Sequence, residues 1–429
     1  MTILTIFVTF ILCIVLGLPI AIAMGLSTVF ALIVSDSSLG MSFVAQTIVN
    51  GTYSFTLLAI PFFLLSGELM GKGGISKRLI GCFKSLVGNK CGGMAAVTVL
   101  ACMFFAAISG SANATVVAIG GLLAPSMVND GYERGFIAGL AGTAGSIGII
   151  IPPSIPFVVY AVAANESVGS LFLAGIVPGL LIGGGLCLYG YIYAKKRGDL
   201  IIRTKETYTW HQRGRMFWDA KWSLLVPVII LGGIYGGIFT PTEAAAVTVI
   251  YGLIVGVFVY KELKLKDIIA ALKNTATTTG TIMILVGASA VFSKLLNIEG
   301  VPQVVSNFLT STFSTKVIFL LFINVLFLIV GCLMDSTSAT IILVPLLLPA
   351  AKMLGINPIH FGAMMIVNLG IGFVTPPVGI NLFLGMQVSG SKFGEAVRHV
   401  LPMICVELVV LFLITYIPGL TMFLPNLLK

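Results

Sequence analysis

The sequence predicts an all-α polytopic membrane protein that contains an inverted repeat. Hydrophobic residues make up 58% of the chain and charged residues only 9%, whereas soluble domains carry roughly 25% charged residues. Four prolines recur after the same interval of 224 residues: positions 125, 152, 153 and 178 match 349, 376, 377 and 402. Gly148 recurs as Gly372 with that spacing. Apolar helices that break at matching positions in two copies are typical of secondary transporters.

The distribution of basic residues predicts the orientation. At about 20 residues per crossing, 429 residues allow on the order of a dozen spans. Of the 24 Lys and Arg residues, 20 fall into five groups: Lys72–Lys90, Arg134, Lys195–Lys221, Lys261–Lys273, and Lys392 with Arg398. All five groups can be cytoplasmic if an even number of passes separates each from the next. Orientation therefore explains the net charge of +9, and we expect no nucleic-acid partner.

We divide the chain into five segments, with a re-entrant hairpin and a broken helix in each repeat. The segments are 1–50 (N-terminal scaffold helices, with a loop at 35–50), 51–194 (first repeat), 195–260 (basic cytoplasmic loop and scaffold helices 223–239 and 243–260), 261–417 (second repeat) and 418–429 (C-terminal tail). The first repeat holds a hairpin at about 94–128 and a broken helix at 135–163, and the second a hairpin at about 317–351 and a broken helix at 360–389. The two copies cross the membrane in opposite directions, as an inverted repeat requires.

Polar, helix-breaking residues recur at the same places in both copies. The segments are Ser109–Thr115, Gly148–Pro156, Asp335–Thr340 and Gly372–Pro377. A Pro-Pro pair removes two backbone donors and frees carbonyls upstream, and such backbone survives in a membrane only inside protein or against a wet cavity. Freed carbonyls and nearby side-chain oxygens would suit a small hard cation such as Na⁺. The alternative is that these residues only kink helices, but their recurrence in both copies favours two related cation sites.

Three carboxylates lie within or beside apolar segments. Asp335 is the strongest candidate, because a carboxylate within a membrane segment costs about 2.5–3.5 kcal/mol and normally has a functional partner. Its counterpart in the first copy is neutral, either Gly110 or Ser111, so a second-copy site would carry the formal charge. The alternative places Asp335 at a wet loop end. Glu243, in a Thr-Pro-Thr-Glu sequence, is expected to cap a helix, and Glu407 to pair with a polar group on a neighbouring helix.

The sequence contains no signature of an enzyme. It has neither a G-x-x-x-x-G-K-[ST] phosphate-binding loop nor an acidic metal cluster. No G-x-S-x-G sequence or histidine lies near the candidate tips. The seven cysteines are scattered without a C-x-x-C pair, which argues against a disulfide framework or metal site. We therefore predict that the chain is not an enzyme.

Four stretches resemble the large membrane subunit (DctM type) of tripartite ATP-independent periplasmic (TRAP) transporters. They are FFAAISGSANATVVAIGGLLAPSM, GYERGFIAGLAGTAGSIGIIIPPSIPFVVYA, GGIYGGIFTPTEAAAV and LGIGFVTPPVGINLF, and the resemblance spans essentially the whole chain. It implies a sodium-driven importer of organic anions in the bacterial inner membrane, with an elevator-type mechanism. It also implies two partners, a separate small four-helix membrane subunit and a periplasmic solute-binding protein.

The resemblance also assigns residues to sites by motif. One Na⁺ site would involve Ser109, Asn113, Gly148, Ile151 and Pro153. The other would involve Gly331, Asp335, Gly372, Thr375 and Pro377. The substrate carboxylate would lie near Ser109, Ser111, Ser154 and Asp335, the last acting through a hydroxyl or a bound cation. Among the C4-dicarboxylates, sialic acids and sugar acids that the family carries, hydroxyl-rich tips without an intramembrane Arg favour a sialic acid or a similar sugar acid.

Two other kinds of transport protein fit parts of the pattern. A stand-alone Na⁺-coupled dicarboxylate or citrate carrier uses a similar inverted-repeat plan, but the TPTEAAA sequence favours the tripartite family. An ion channel is the alternative from a different class, and two dead-end hairpins argue against a continuous pore. An intramembrane enzyme would need a nucleophile–base pair, which the sequence lacks.

Overall fold

The computed structural model describes residues 2–34, 39–198, 208–313 and 315–428. Within these ranges the regular structure is helical and contains no β-strand. Nine of the described helical segments are long and apolar enough to cross a membrane, and shorter apolar helices of 10–17 residues accompany them. The predicted all-α polytopic class is therefore confirmed. Residues 199–207 of the predicted basic loop lie outside the described ranges.

The N-terminal part contains five helices, one of which the sequence analysis missed. The helices are α1 (Thr2–Val15), α2 (Ile20–Val34), α3 (Met41–Thr52), α4 (Ala59–Lys72) and α5 (Ile75–Val87). The expected loop at 35–50 is wrong over α3, whose weak helix formers and lack of charge gave no clear helical pattern. No space remains for a side chain at Gly51, because Ala290 lies directly against it. Tertiary packing therefore supports α3.

The first hairpin and broken helix follow. Their helices are α6 (Gly93–Ser109), α7 (Ala112–Thr115), α8 (Gly121–Asn129), α9 (Arg134–Ser146), α10 (Ile155–Ala164) and α11 (Val168–Arg197). A π-helical turn joins α7 to α8, so residues 112–129 form one continuous helical run. The chain reverses at Gly110, whose φ of +61° is a conformation that glycine adopts at little cost.

Four helices lie between α11 and the second hairpin. They are α12 (Trp210–Tyr235), α13 (Pro241–Ile254), α14 (Leu265–Ile298) and α15 (Val301–Thr312). The predicted start of the first scaffold helix at 223 is wrong, because a capping box of Thr209 and Gln212 begins α12 at Trp210. A second capping box, formed by Thr240 and Glu243, begins α13. This confirms the structural role expected for Glu243.

The second copy has the same order of elements. Its helices are α16 (Lys316–Leu333), α17 (Ser336–Met353), α18 (Pro358–Gly372), α19 (Ile380–Ser389), α20 (Phe393–Tyr416) and α21 (Gly419–Leu427). The expected tail at 418–429 is wrong over α21, which is a helix packed against α11. The division into scaffold and repeat domains stays a prediction.

The two copies pack directly on one another. Helix α9 lies against α19 and α20, and α10 lies against α17. The hydroxyl of Ser146, in the last turn of α9, donates a hydrogen bond to Glu407 Oε1 at 2.9 Å. Glu407 is fully buried in α20. This contact confirms that Glu407 pairs with a polar group on a neighbouring helix.

An ionic cluster joins the starts of α9 and α20 to the end of α11. Glu133 lies 2.5 Å from Arg197 and 2.6 Å from Nε2 of His399, and it accepts a hydrogen bond from Tyr193 at 3.3 Å. Burial alone would raise the pKa of Glu133, but Arg197 and His399 outweigh it and lower the pKa. The ionised carboxylate therefore stabilises this junction.

We predict that Glu133→Gln reduces the acid sensitivity of the fold. Because the folded-state pKa is lowered, the ionised carboxylate stabilises the protein at neutral pH, and this stability is lost as pH falls through that pKa. Thermal unfolding midpoints of the purified chain, measured from pH 7 to below about pH 4, should fall less steeply in the variant. Glu395→Gln, at an exposed carboxylate nearby, is the control. Equal slopes for Glu133→Gln and the unmodified protein would contradict the prediction.

Candidate functional site

The tip of the first hairpin rests on the break of the first copy. Ser111 caps the helical run that begins at Ala112, and its hydroxyl accepts a hydrogen bond from Ala114 N. Ile155 N donates to the carbonyl of Gly110 at 3.3 Å. A Cβ atom added at Gly110 would lie 2.9 Å from the carbonyl oxygen of Pro153. The reversal and the break are therefore in backbone-to-backbone contact.

Several oxygens converge at this contact. Ser109 Oγ lies 3.2 Å from Thr115 Oγ1, which donates to the carbonyl of Ser111 at 2.8 Å. A Cβ atom at Gly148 would lie 2.6 Å from that carbonyl oxygen. No described residue donates a hydrogen bond to the carbonyls of 151–153. We call this group the first oxygen cluster.

The tip of the second hairpin rests on the second break in the same way. A Cβ atom at Gly372 would lie 2.5 Å from the carbonyl carbon of Gly331, so only glycine fits there. The thiol of Cys332 donates a hydrogen bond to the carbonyl of Thr375 at 3.1 Å. The carbonyls of 376 and 377 receive no hydrogen bond from the described part of the chain. These groups form the second oxygen cluster, and Asp335 follows Cys332 by three residues.

Asp335 occupies the position that Ser111 has in the first copy. Both residues are N-caps, and they are separated by the repeat interval of 224 residues. Asp335 accepts hydrogen bonds from the backbone and the hydroxyl of Ser338. Its side chain is exposed. The structure thus identifies Ser111 as the neutral counterpart of Asp335, at the equivalent N-cap.

The two tips share one cavity of about 390 Å³, which we call the tip cavity. Residues 110–113 line it from the first tip and 335–338 from the second. Helix α14 closes it with Thr277, Thr278 and Thr281. The sequence analysis missed these threonines, although the run NTATTTGT inside a predicted crossing was a visible signal.

The structure separates the four residues expected around the substrate carboxylate. Ser111 and Asp335 line the tip cavity. Ser109 is buried in the first oxygen cluster. Ser154 is fully buried, and its hydroxyl donates to the carbonyl of Ile149 at 2.6 Å while capping α10. In this conformation Ser154 therefore serves the break and does not line the cavity.

The ten residues expected around sodium divide in a similar way. Ser109, Gly148 and Pro153 lie at the first tip–break contact, and Ile151 lies in the break with its side chain facing Gly179. Asn113 and Asp335 line the tip cavity. Gly331, Gly372 and Thr375 lie at the second contact, with Pro377 in its break. Thr115 was not among the expected residues, although it is the last residue of the polar segment Ser109–Thr115. No cluster of metal-binding His, Cys, Asp and Glu side chains occurs in the described ranges.

Fold and site together define an inverted-repeat membrane transporter. The structure of the YdaH transporter from Alcanivorax borkumensis superposes with a TM-score of 0.68 and 17% identity, over 89% of this chain and 90% of that one. The structure of MtrF from Neisseria gonorrhoeae superposes with a TM-score of 0.63 and 14% identity, over 90% of this chain and 85% of that one. These likenesses show the fold with two re-entrant hairpins and two broken helices.

The family follows from the sequence comparison. Residues 7–420 match the family model of the tripartite ATP-independent periplasmic transporter, DctM component, and the chain belongs to this family. It is 44% identical to the C4-dicarboxylate TRAP transporter large permease protein DctM of Pseudomonas aeruginosa, over 87% of this chain and 86% of that protein. It is 39% identical to the sialic acid large permease SiaM of Vibrio cholerae, over 96% and 95%. The chain is therefore a multi-pass protein of the bacterial inner membrane.

One similar relative is considerably longer. The isethionate TRAP transporter permease protein DctMQ of Oleidesulfovibrio alaskensis is 46% identical over 96% of this chain, but the match covers only 65% of that relative. The substrates and partners in the relatives' names describe those proteins.

We predict that Gly372→Ala destabilises the protein. The added methyl group would press on the backbone of Gly331, and such overpacking costs about 1–3 kcal/mol. The thermal unfolding midpoint in detergent should therefore fall. Gly184→Ala is the matched control, because no atom lies within 4 Å of its added Cβ. An unchanged midpoint in Gly372→Ala would contradict the close contact.

Proposed function

We propose that this chain is the translocation subunit of a Na⁺-coupled importer of small organic anions. The observation that carries the proposal is the tip cavity, where two hairpin tips from opposite repeats meet beside the two oxygen clusters. Solutes and coupling ions of secondary transporters bind at such broken-helix positions. Na⁺ prefers hard oxygen ligands, and each cluster offers them.

The two clusters supply different ligands for Na⁺. The first has the hydroxyls of Ser109 and Thr115 beside carbonyls that accept no hydrogen bond within the described ranges. The second adds the carboxylate of Asp335, at the start of α17. We propose one Na⁺ at each cluster. The second ion would lie beside a negative charge, which strengthens its binding.

The chemistry of the tip cavity supports an anionic solute. Among the described residues that line it there is no Lys or Arg, and its polar groups are hydroxyls, the Asn113 amide, the Asp335 carboxylate and the backbone donors of two helix starts. The Asp335 carboxylate would face the solute through the proposed Na⁺. Helix N-termini favour negative charge. Relatives named for isethionate, C4-dicarboxylate, sialic acid and 2,3-diketo-L-gulonate share the family. We propose the class of small organic acids, in which a sialic or sugar acid is one candidate.

We further propose an elevator-type movement in which the tips and breaks travel together against α14. The two copies pack on one another through α9 with α19 and α10 with α17, which suits a unit that moves as one body. Import would require a small four-helix membrane subunit and a periplasmic solute-binding protein. The name DctMQ of the longer isethionate relative is consistent with a joined small subunit in that protein.

The proposed function predicts Na⁺-driven, binding-protein-dependent uptake. The chain would be reconstituted in liposomes with its small subunit, and uptake of radiolabelled organic acids would be measured under an inward Na⁺ gradient. We expect uptake only with both Na⁺ and the binding protein. Uptake without the binding protein would instead indicate a stand-alone carrier, and uptake without Na⁺ would exclude sodium coupling.

We predict that Asp335→Asn weakens Na⁺ activation of uptake. Interactions with a charged group contribute roughly 1.5–3 kcal/mol, so the Na⁺ concentration for half-maximal uptake should rise about 10–100-fold. Glu299→Gln, near the exposed end of α14, is the control and should behave like the unmodified protein. A normal Na⁺ dependence in Asp335→Asn would remove Asp335 from the proposed ion site.

A further inference from the structure

A second cavity lies next to the tip cavity along the same three helices. It has a volume of about 490 Å³, and we call it the outer cavity. On each helix, a residue that lines the tip cavity is followed within one turn by a residue that lines the outer cavity. These pairs are Pro156 and Val159 on α10, Leu285 and Val286 on α14, and Ser338 and Ile341 on α17. The two cavities are therefore stacked and separated by a thin apolar layer.

Helix α14 carries polar side chains into both cavities at a spacing of four residues. Thr277 and Thr281 line the tip cavity, and Ser289, Ser293 and Asn297 line the outer cavity. Positions four residues apart form one inclined row on a helix surface. Leu285 is the single apolar member of this row between its polar ends.

The hydroxyls of α14 that line the two cavities differ in their hydrogen-bond partners. Thr277 and Thr281 each donate to a carbonyl one turn earlier, at 3.0 Å. Ser289 is only 7% exposed. Neither its hydroxyl nor that of Ser293 forms a hydrogen bond with any described residue. A serine in a membrane helix usually bonds to its own helix or to a neighbour, so these two hydroxyls are available to a ligand.

The outer cavity faces the outer side of the membrane. Helix α14 starts beside the basic group Lys261–Lys273, which the positive-inside rule places in the cytoplasm, and the outer cavity lines its later turns. Lys352 lies at the same cavity, 4.0 Å from Glu166 and half exposed. Lys352 and Glu166 thus form an ion pair at this cavity, and the carboxylate offsets the lysine charge.

We propose that Ser289, Ser293 and Asn297 form an outer station for the organic anion. When the hairpin tips face outward, these residues replace Thr277, Thr278 and Thr281 as the fixed wall of the solute site. The steps from 277 to 289 and from 281 to 293 are each 12 residues, which is about 18 Å along a helix. This inference rests on the proposed function, since it needs the tips to move along α14.

Cross-linking tests the station without measuring transport. Cysteines would be introduced in pairs, Thr337→Cys with Thr281→Cys and Thr337→Cys with Ser293→Cys, and treated in membranes with a short bifunctional thiol reagent. Peptide mass spectrometry distinguishes the linked pairs from native cysteines. We expect both pairs to link, the first when the tips face inward and the second when they face outward. Absence of the 337–293 link, with the 337–281 link present, would overturn the proposal whatever the solute or coupling ion.

Uptake measurements test whether the outer station binds the solute. Ser293→Leu should raise the KM for the delivered anion roughly tenfold, the effect of losing one hydrogen bond to a charged group. Ser293→Thr keeps the hydroxyl and should restore most of the affinity. Ser311→Leu, at an exposed serine on α15, controls for an added leucine. Equal KM values for Ser293→Leu and Ser311→Leu would overturn the role of Ser293, even if Na⁺-driven uptake itself is intact.

Discussion

Everything in this structure depends on shielding non-helical backbone at membrane depth. Exposed peptide groups are too costly in hydrocarbon, so each hairpin tip is pressed against the break of its own copy. The contact is so close that Gly372 admits no side chain, and a Cβ atom at Gly331 would lie only 3.0 Å from Leu369. The carbonyl groups that lack helical hydrogen bonds at the breaks therefore lie beside the hydroxyls and N-cap residues of the tips. The same packing that makes the fold possible also creates the oxygen clusters and, between the tips, the cavity.

The repeat is symmetric in backbone but not in chemistry. Ser111 and Asp335 cap equivalent helices, yet one is neutral and the other carries a charge. Both breaks contain a cis Pro-Pro bond, but Ser154 caps α10 while Gly379 begins α19. Duplication therefore preserved the geometry of the breaks, and substitution within that geometry gave the two tips different polar groups.

Much of the fold was predictable because the decisive signals are local. Paired prolines and glycines predicted the hairpins and breaks to within a few residues, and the Thr-Pro-Thr-Glu sequence predicted its own cap. The rest depends on tertiary contacts. Helix α3 is stabilised by packing against α14. The threonine row beginning at Thr277 lines a cavity only because the hairpin tips lie opposite it. Ser154 does not line that cavity because its hydroxyl bonds to the carbonyl of Ile149. No single segment encodes those placements.

One consequence of the tip cavity concerns how its specificity can evolve. Most of the wall facing the tips comes from α14, with Leu64 from α4, whereas the oxygen clusters come from the hairpins and breaks. Under the proposed function, mutations on α14 would alter which solute is accepted without changing the oxygen clusters that are proposed to bind Na⁺. A few substitutions on one face of α14 would then be enough to change the solute specificity of the transporter.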